Sequence, residues 1–457
     1  MSPAAPAASA ATASVPLSQR AGGPDLARGI ALLGIGLANI VGWLHGVEWT
    51  VLLKQSETTV IDRVADVAIA LFADNRGFPL FALLFGYGIG ILHRRSREAG
   101  ERPRRFVTRM LKRHVVLAAI GLAHGIALFT GDILVDYAVI GTLCAVLVTR
   151  RSSALILAAV VTLPALALWG WADGVVGLGT QTGYDAAMAE SYGAAVTMNM
   201  IDAATGIALA VVTDIGLLCP MALGALAARL RLLEQVDDHR STLRVISTWG
   251  LLIGLLGAMP LTAVLVADPQ LTVVTSATLL GILGVVHQLT GLLGALGIAA
   301  AAALISDAAL FTGTARITDN AQTTDAARIT DTARGPRAHR TPLRRAVVSL
   351  EALGAMALTA YVTQSLVFAV LFPPYTADLG ARLGTAGAAG IMILTWLLTM
   401  APAVLLRRGG HRGPLETVLR RFGGTRPLRD GPLPLRYGTR RRPDGARPHI
   451  ARRRGTR

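Results

Sequence analysis

The chain has 457 residues, 53% of them hydrophobic and only 16% charged, against about 25% charged in soluble domains; its mean hydropathy is +0.53. This excludes an ordinary soluble domain, and the lack of short alternating segments excludes a β-barrel. The net charge of +16 sits almost wholly in a few loops and in the tail from Arg407, which holds sixteen Arg, so it marks topology and contact with anionic lipid headgroups, and no nucleic-acid partner is expected.

The first 20 residues, rich in Ala, Ser and Pro, have neither the basic start nor the apolar core of a signal peptide, and are expected to form a disordered arm. Ten apolar segments follow, near 28–46, 65–92, 112–130, 132–149, 152–171, 204–228, 243–266, 272–305, 347–371 and 384–406. Each is long enough to cross a bilayer as a helix, so the expected fold is all-α, a polytopic transmembrane helix bundle. The second and eighth are long enough to tilt or kink, and Pro79 is the natural kink in the second.

The loops sort into two kinds. "HRRSREAGERPRRFVTRMLKR" carries nine Lys/Arg against two Glu, whereas residues 172–203 carry four acids and no Lys or Arg. Basic and non-basic loops alternate, which places both termini in the cytoplasm. The polar stretch 306–345 contains "ARITD" twice and reads as a low-complexity cytoplasmic linker. The expected organisation is therefore an arm over 1–20, about eight spans over 21–305, the linker, two spans and a C-terminal motif over 346–422, and a disordered Arg-rich tail over 423–457. Glycines recur within the spans, as at Gly86, Gly88 and Gly90, where close helix packing accounts for them. Cys144 and Cys219 lie in apolar runs without metal-ligand spacing, so they are packing residues and no metal is expected.

Ionisable groups at membrane depth are costly, and each raises a functional question. Asp25 and Arg28 are three residues apart on one helical face and can pair, or they mark an interfacial helix start. Asn39 lies about three turns on, where its amide needs a partner. Asp74, Asn75 and Arg76 interrupt an apolar run, either as a turn at the outer interface or as groups entering a cavity. In "GLAHGIALFTGDILVDYAVIG", Asp132 follows a short turn and is a good N-cap. Asp136 lies one turn on, and Tyr137 suits an aromatic belt. His124, two turns before the hairpin, has neither a cap nor a belt role, leaving interhelical hydrogen bonding or catalysis. "LTAYVTQS" adds Tyr361, Gln364 and Ser365, and His287 with Gln288 is a further polar pair.

At these clusters the chain resembles the YeiB-like bacterial membrane proteins, whose conserved domain is of unknown function. The matching residues are Asp25, Arg28, Gly29, Gly34 and Asn39; "FPLFALLFGYG"; Gly121, His124, Gly131, Asp132, Tyr137 and Gly141; Leu358, Thr359, Tyr361, Gln364 and Ser365; and "HRGPLETVLR". Pro24 and Thr417 depart from the pattern. The family resembles a wider group of multispan acyltransferases that modify sugars, and this implies an activity in a bacterial cytoplasmic membrane. His124 would be the general base, Asp132 or Asp136 its orienter, and acyl-CoA the donor, with Arg28 and the Arg104–Arg113 strip attracting its phosphates. Substrate contacts would come from Asp25, Arg28, Asn39, Arg76, Tyr137, Tyr361, Gln364 and Ser365.

Three classes remain open. An enzyme requires a cavity joining Arg28, His124 and Asp132. A transporter requires a midplane site made by broken helices. A structural or regulatory protein requires the polar groups to satisfy one another.

Overall fold

The computed structural model describes residues 22–322 and 342–424. The expected arm over 1–20, nearly all of the tail over 423–457 and the linker segment 323–341 lie outside the described residues. The described chain is helical throughout, with one isolated bridge between Trp49 and Gln55. Its helices are α1 (Gly22–Ala38), α2 (Val60–Phe72), α3 (Gly77–Glu98), α4 (Pro103–Ala127), α5 (Leu134–Leu147), α6 (Ser152–Val175), α7 (Tyr192–Thr213), α8 (Leu218–Arg229), α9 (Val236–Ala267), α10 (Ala277–Gln322), α11 (Pro342–Gly354), α12 (Ala357–Leu371), α13 (Leu379–Arg382), α14 (Thr385–Arg408) and α15 (Pro414–Phe422).

Seven helices among the described residues are long and apolar enough to cross a membrane, and the pair α11 and α12, bent by 85°, makes an eighth if it counts as one span. Apolar side chains such as Val161 and Leu168 on α6 and Leu398 and Leu405 on α14 point outward, a surface that is stable in lipid and aggregation-prone in water. The chain is an integral membrane protein. The ten spans expected from hydropathy are not all full crossings. Leu134–Leu147 and Ile215–Arg229 are too short for that test; at 1.5 Å per residue such helices fall short of roughly 30 Å of hydrocarbon.

Three further expectations change. The second span, Val60–Glu98, is interrupted at 73–76 rather than at Pro79, and Asn75 takes the left-handed conformation there with φ 58°. Pro79 sits in the first turn of α3, where a missing N–H costs nothing. The sixth expected span breaks at Asp214, between α7 and the short turn that leads into α8. Finally, α10 continues to Gln322, so the stretch expected from 306 as a low-complexity linker begins as helix.

Side-chain bonds tie the basic loops to one another. Arg94 pairs with Glu234, Arg231 with Glu98, Arg240 with Asp307 and Arg407 with Glu351. The other loops meet at the opposite end, where His45 faces Asp378, Gln270 bonds Glu57, Thr130 bonds Asp202, and Asp62 accepts from the Ala386 N–H that opens α14. The bundle thus has a basic end and a non-basic end.

Small residues set the helix spacing. A Cβ at Gly86 on α3 would lie 1.9 Å from the Met221 carbonyl oxygen on α8, and one at Gly224 would lie 1.8 Å from that of Leu83. Gly86→Val is therefore expected to pry α3 from α8 and cost at least about 1–3 kcal/mol. Thermal denaturation in detergent checks this; an unchanged midpoint contradicts the packing described.

Candidate functional site

His124 lies in the last turn of α4, and the turn over 128–133 brings Asp132 back beside it. His124 Nδ1 is 2.8 Å from Asp132 Oδ1. The other carboxylate oxygen, Oδ2, accepts from the Leu134 N–H at 3.1 Å and from that of Val135 at 3.4 Å. The alternatives of cap and site merge, because one carboxylate opens α5 and orients the histidine. Gly121 permits this approach: a Cβ there would lie 2.8 Å from Asp132 Oδ2 and 2.7 Å from Leu134 Cβ. His124 is buried, and its Nε2 has no partner among the described residues. If Nδ1–H donates to the carboxylate, Nε2 carries the lone pair, which is the arrangement of an oriented base.

Tyr361 on α12 packs its ring against His124, with centroids 5.0 Å apart. Tyr137 is not a belt residue. It is buried, its hydroxyl donates to the Phe78 carbonyl at 2.8 Å, and Phe81 and Phe85 meet its ring edge-on. Hydropathy could not place it, because the turn between α4 and α5 directs the first turn of α5 inward.

Tyr137 and Tyr361 line one end of a cavity of about 610 Å³. Its middle is walled by apolar side chains, among them Leu32, Leu84, Phe85 and Leu117. Towards the basic end it is lined by Arg28, Arg95, Arg109, Arg113, Arg412 and Arg420, with Asp25, Glu98, Glu234 and Glu416 among them. Arg28 donates to Asp25 at 2.5 Å and to the Leu84 carbonyl at 3.3 Å. Arg109 binds Glu101 in the adjoining loop at 2.7 Å. Burial alone would push the Glu101 carboxyl up, but hydrogen bonds from Arg109 and Ser96 outweigh it and hold it below the usual range.

The cavity's basic rim rests on the bend between α11 and α12. A helix that starts inside a bundle presents unpaired N–H groups. Glu416 on α15 takes them, accepting from Leu358 N at 2.8 Å, Thr359 N at 3.1 Å and the Thr359 hydroxyl at 2.6 Å. This gives the C-terminal motif "HRGPLETVLR" its physical role. Glu416→Ala is expected to destabilise the protein by about 1–3 kcal/mol, with Glu416→Gln between it and the wild type; equal thermal midpoints for all three would remove the cap from the account.

The other sequence candidates divide. Asp25, Arg28, Tyr137 and Tyr361 line the cavity. Gln364 is buried on α12, its amide 3.5 Å from the Leu32 carbonyl, and Ser365 is buried beside it. Asp136 makes no hydrogen bond to His124 and lies half-buried one turn along α5. Asn39 is in the short turn Asn39–Gly42 that ends α1, away from the cavity lining. Arg76 belongs to a different place. It donates to the carbonyls of Ala70, Asp74 and Gly254, at the break between α2 and α3. Around that break Asn75 bonds Asp173 at 2.8 Å and His287 at 3.1 Å, and Lys54 lies 2.9 Å from Asp74. The polar run 74–76 is thus a turn between α2 and α3, as one of the two sequence readings has it, but a turn buried within the bundle rather than exposed. Among the described residues, no group of three or more His, Cys, Asp and Glu side chains is placed to hold a metal ion.

One residue was overlooked in the sequence. His114 lies inside the basic strip of α4 and lines the cavity. Its signal was its position, ten residues and nearly three turns before His124.

The fold and cavity define a polytopic helical membrane protein with a buried histidine–aspartate pair beside an arginine-rimmed chamber. Residues 337–424 match a family described as "Protein of unknown function (DUF418)". The chain is 30% identical over 130 residues to uncharacterized protein YxaH of Bacillus subtilis, covering 27% of this chain and 31% of that protein. It is 31% identical over 123 residues to uncharacterized protein YeiB of Escherichia coli, covering 26% and 29%. An uncharacterized 39.9 kDa protein of Bacillus acidopullulyticus is 34% identical over 130 residues, covering 28% and 34%. The chain matches about a third of the length of these curated relatives. No solved structure matches it. Over these stretches the chain is similar to YeiB and YxaH, and its C-terminal part matches the DUF418 family model.

Proposed function

We propose that the protein is an acyltransferase of the bacterial cytoplasmic membrane, with the basic end in the cytoplasm. The observation that carries this reading is a buried histidine, held by Asp132 and with no partner at Nε2 among the described residues, packed on Tyr361, whose ring stands between it and the chamber. Arg28 and Tyr361 line the chamber, whereas His124 and Asp132 lie behind its wall, so the reading requires Tyr361 to swing aside when the acceptor binds. An activated acyl donor with phosphate groups enters at the arginines and lays its apolar part along Leu32, Phe85 and Leu117. His124 Nε2 takes the proton from the acceptor's O–H or N–H, and the acceptor oxygen or nitrogen attacks the donor's acyl carbonyl. The bond from that carbonyl to the donor's sulfur breaks, and the departing thiolate recovers the proton from the imidazolium. The product is an ester or amide on an envelope glycan or lipid, plus a free thiol. Asp132 supports the imidazolium and holds the tautomer.

The test is a comparison of envelope glycans and lipids with and without the protein, joined to transfer from labelled acyl-CoA by purified protein in nanodiscs. A missing acyl group and measurable transfer are expected. An accumulated unmodified intermediate on one side of the membrane would favour a second reading, a permease. The break at 73–76, with Lys54, Asp74, Asn75, Asp173 and His287 around it, supports that alternative.

A further inference from the structure

His114 is fixed more completely than its place in a basic strip requires. Its Nδ1 lies 2.9 Å from Thr142 Oγ1. That hydroxyl already spends its proton on the Ala138 carbonyl, at 2.8 Å. The oxygen therefore accepts from His114, so Nδ1 carries the hydrogen and the neutral ring leaves a lone pair on Nε2. Phe85 packs on the ring at 5.6 Å between centroids, and a Cβ at Gly141 would lie 3.3 Å from Cε1. Neighbours on two sides thus restrain the imidazole from turning. His114 is 2% exposed, and Nε2 is buried with no partner among the described residues. A buried acceptor left unpaired costs free energy and calls for an explanation.

Its depth supplies one. His114 lines the cavity between Arg109 and Arg113 towards the rim and Leu117 and Tyr137 further in. It lies about 15 Å along α4 from His124. Phe85, Leu117 and Tyr137 line the cavity beside it, with Arg113 the neighbouring charge towards the rim, and no donor among the described residues meets Nε2.

We propose that His114 is a ligand-binding residue whose Nε2 accepts a hydrogen bond from an N–H on the arm that joins the phosphate end of the cavity's occupant to its acyl end. The inference rests on the donor reading above and narrows it. A diacyl phosphatidate or a polyprenyl phosphate offers no hydrogen-bond donor below its phosphate, and an ester carbonyl there would meet another acceptor. An acyl thioester on an amide-bearing arm of the pantetheine type offers amide N–H groups at that level. The occupant the geometry selects is the thioester.

The experiment measures binding of a non-reactive S-alkyl thioether of coenzyme A, and of diacyl phosphatidate, to the full chain in nanodiscs. His114→Leu is expected to weaken the coenzyme A analogue at least tenfold and leave phosphatidate unchanged. His114→Gln, whose amide oxygen can accept, is expected to restore part of the loss. Thr142→Val, which removes the anchor and keeps the shape, is expected to weaken the analogue with thermal stability retained. Unchanged binding of the analogue to a folded His114→Leu protein overturns the inference and leaves the donor reading standing. Equal losses for both probes also overturn it. A wild-type protein that binds phosphatidate but no coenzyme A analogue overturns the donor reading together with it.

Discussion

His124→Ala is expected to lower acyl transfer by about 10²–10⁴-fold while lowering the thermal midpoint by less than the loss of a carboxylate's sole partner would. The large effect follows from the bond to Asp132 at 2.8 Å and the unpartnered Nε2. The small structural effect follows because Asp132 keeps its bonds to the Leu134 and Val135 N–H groups when the imidazole is gone. Asp132→Asn separates the two duties of that carboxylate. Its amide oxygen still caps α5, but its NH₂ turns towards Nδ1 and reverses the tautomer, moving the proton to Nε2, where the base is needed. Activity should then fall nearly as far as in His124→Ala, without a loss of folding. The measurement is single-turnover transfer of a labelled acyl group. Full transfer by a folded His124→Ala protein excludes the base.

Lys54→Met is expected to have the largest effect on stability, about 3–5 kcal/mol, because it removes the partner of a buried carboxylate. Lys54 is 1% exposed and lies 2.9 Å from Asp74. Asp74 is itself buried at the break between α2 and α3, where Arg76 holds its carbonyl rather than its carboxylate. Adding Asp74→Asn to Lys54→Met should recover much of the loss, and the double-mutant cycle measures the coupling. Additive losses in the two single variants would show that the pair is not coupled.

Much of the architecture is legible in the composition. Apolar length and the alternation of basic loops define a helical bundle with two unlike ends, and the bonds of Arg94, Arg231 and Arg240 gather those loops at one of them. The breaks are less legible. The run 74–76 stands out as polar residues in an apolar stretch, but hydropathy averages over a window and passes through Asp214 and the bend at 354–357, where a short turn or a cap from a distant helix interrupts the ladder. The hairpin between α4 and α5 was visible as ionisable residues in an apolar run. The distribution of its roles was not, since a cap and an orienter use different oxygens of one carboxylate. Tyr137 looked interfacial because its burial depends on packing from Phe81 and Phe85 on α3. His114 was hidden by its neighbours: surrounded by Arg109, Lys112 and Arg113, it passes as one more positive charge in a topology signal.

The Glu416 cap also bears on the order of biosynthesis. The carboxylate and the Leu358 N–H it receives are 58 residues apart, so α12 leaves the ribosome well before its cap exists. Until α15 arrives, the start of α12 holds raw amide groups in a setting with little water to satisfy them. The bend can close only as a late event, after α14 has been inserted. A nascent chain stalled before Gly413 would carry every helix of the bundle up to α14 and still have an unfinished chamber.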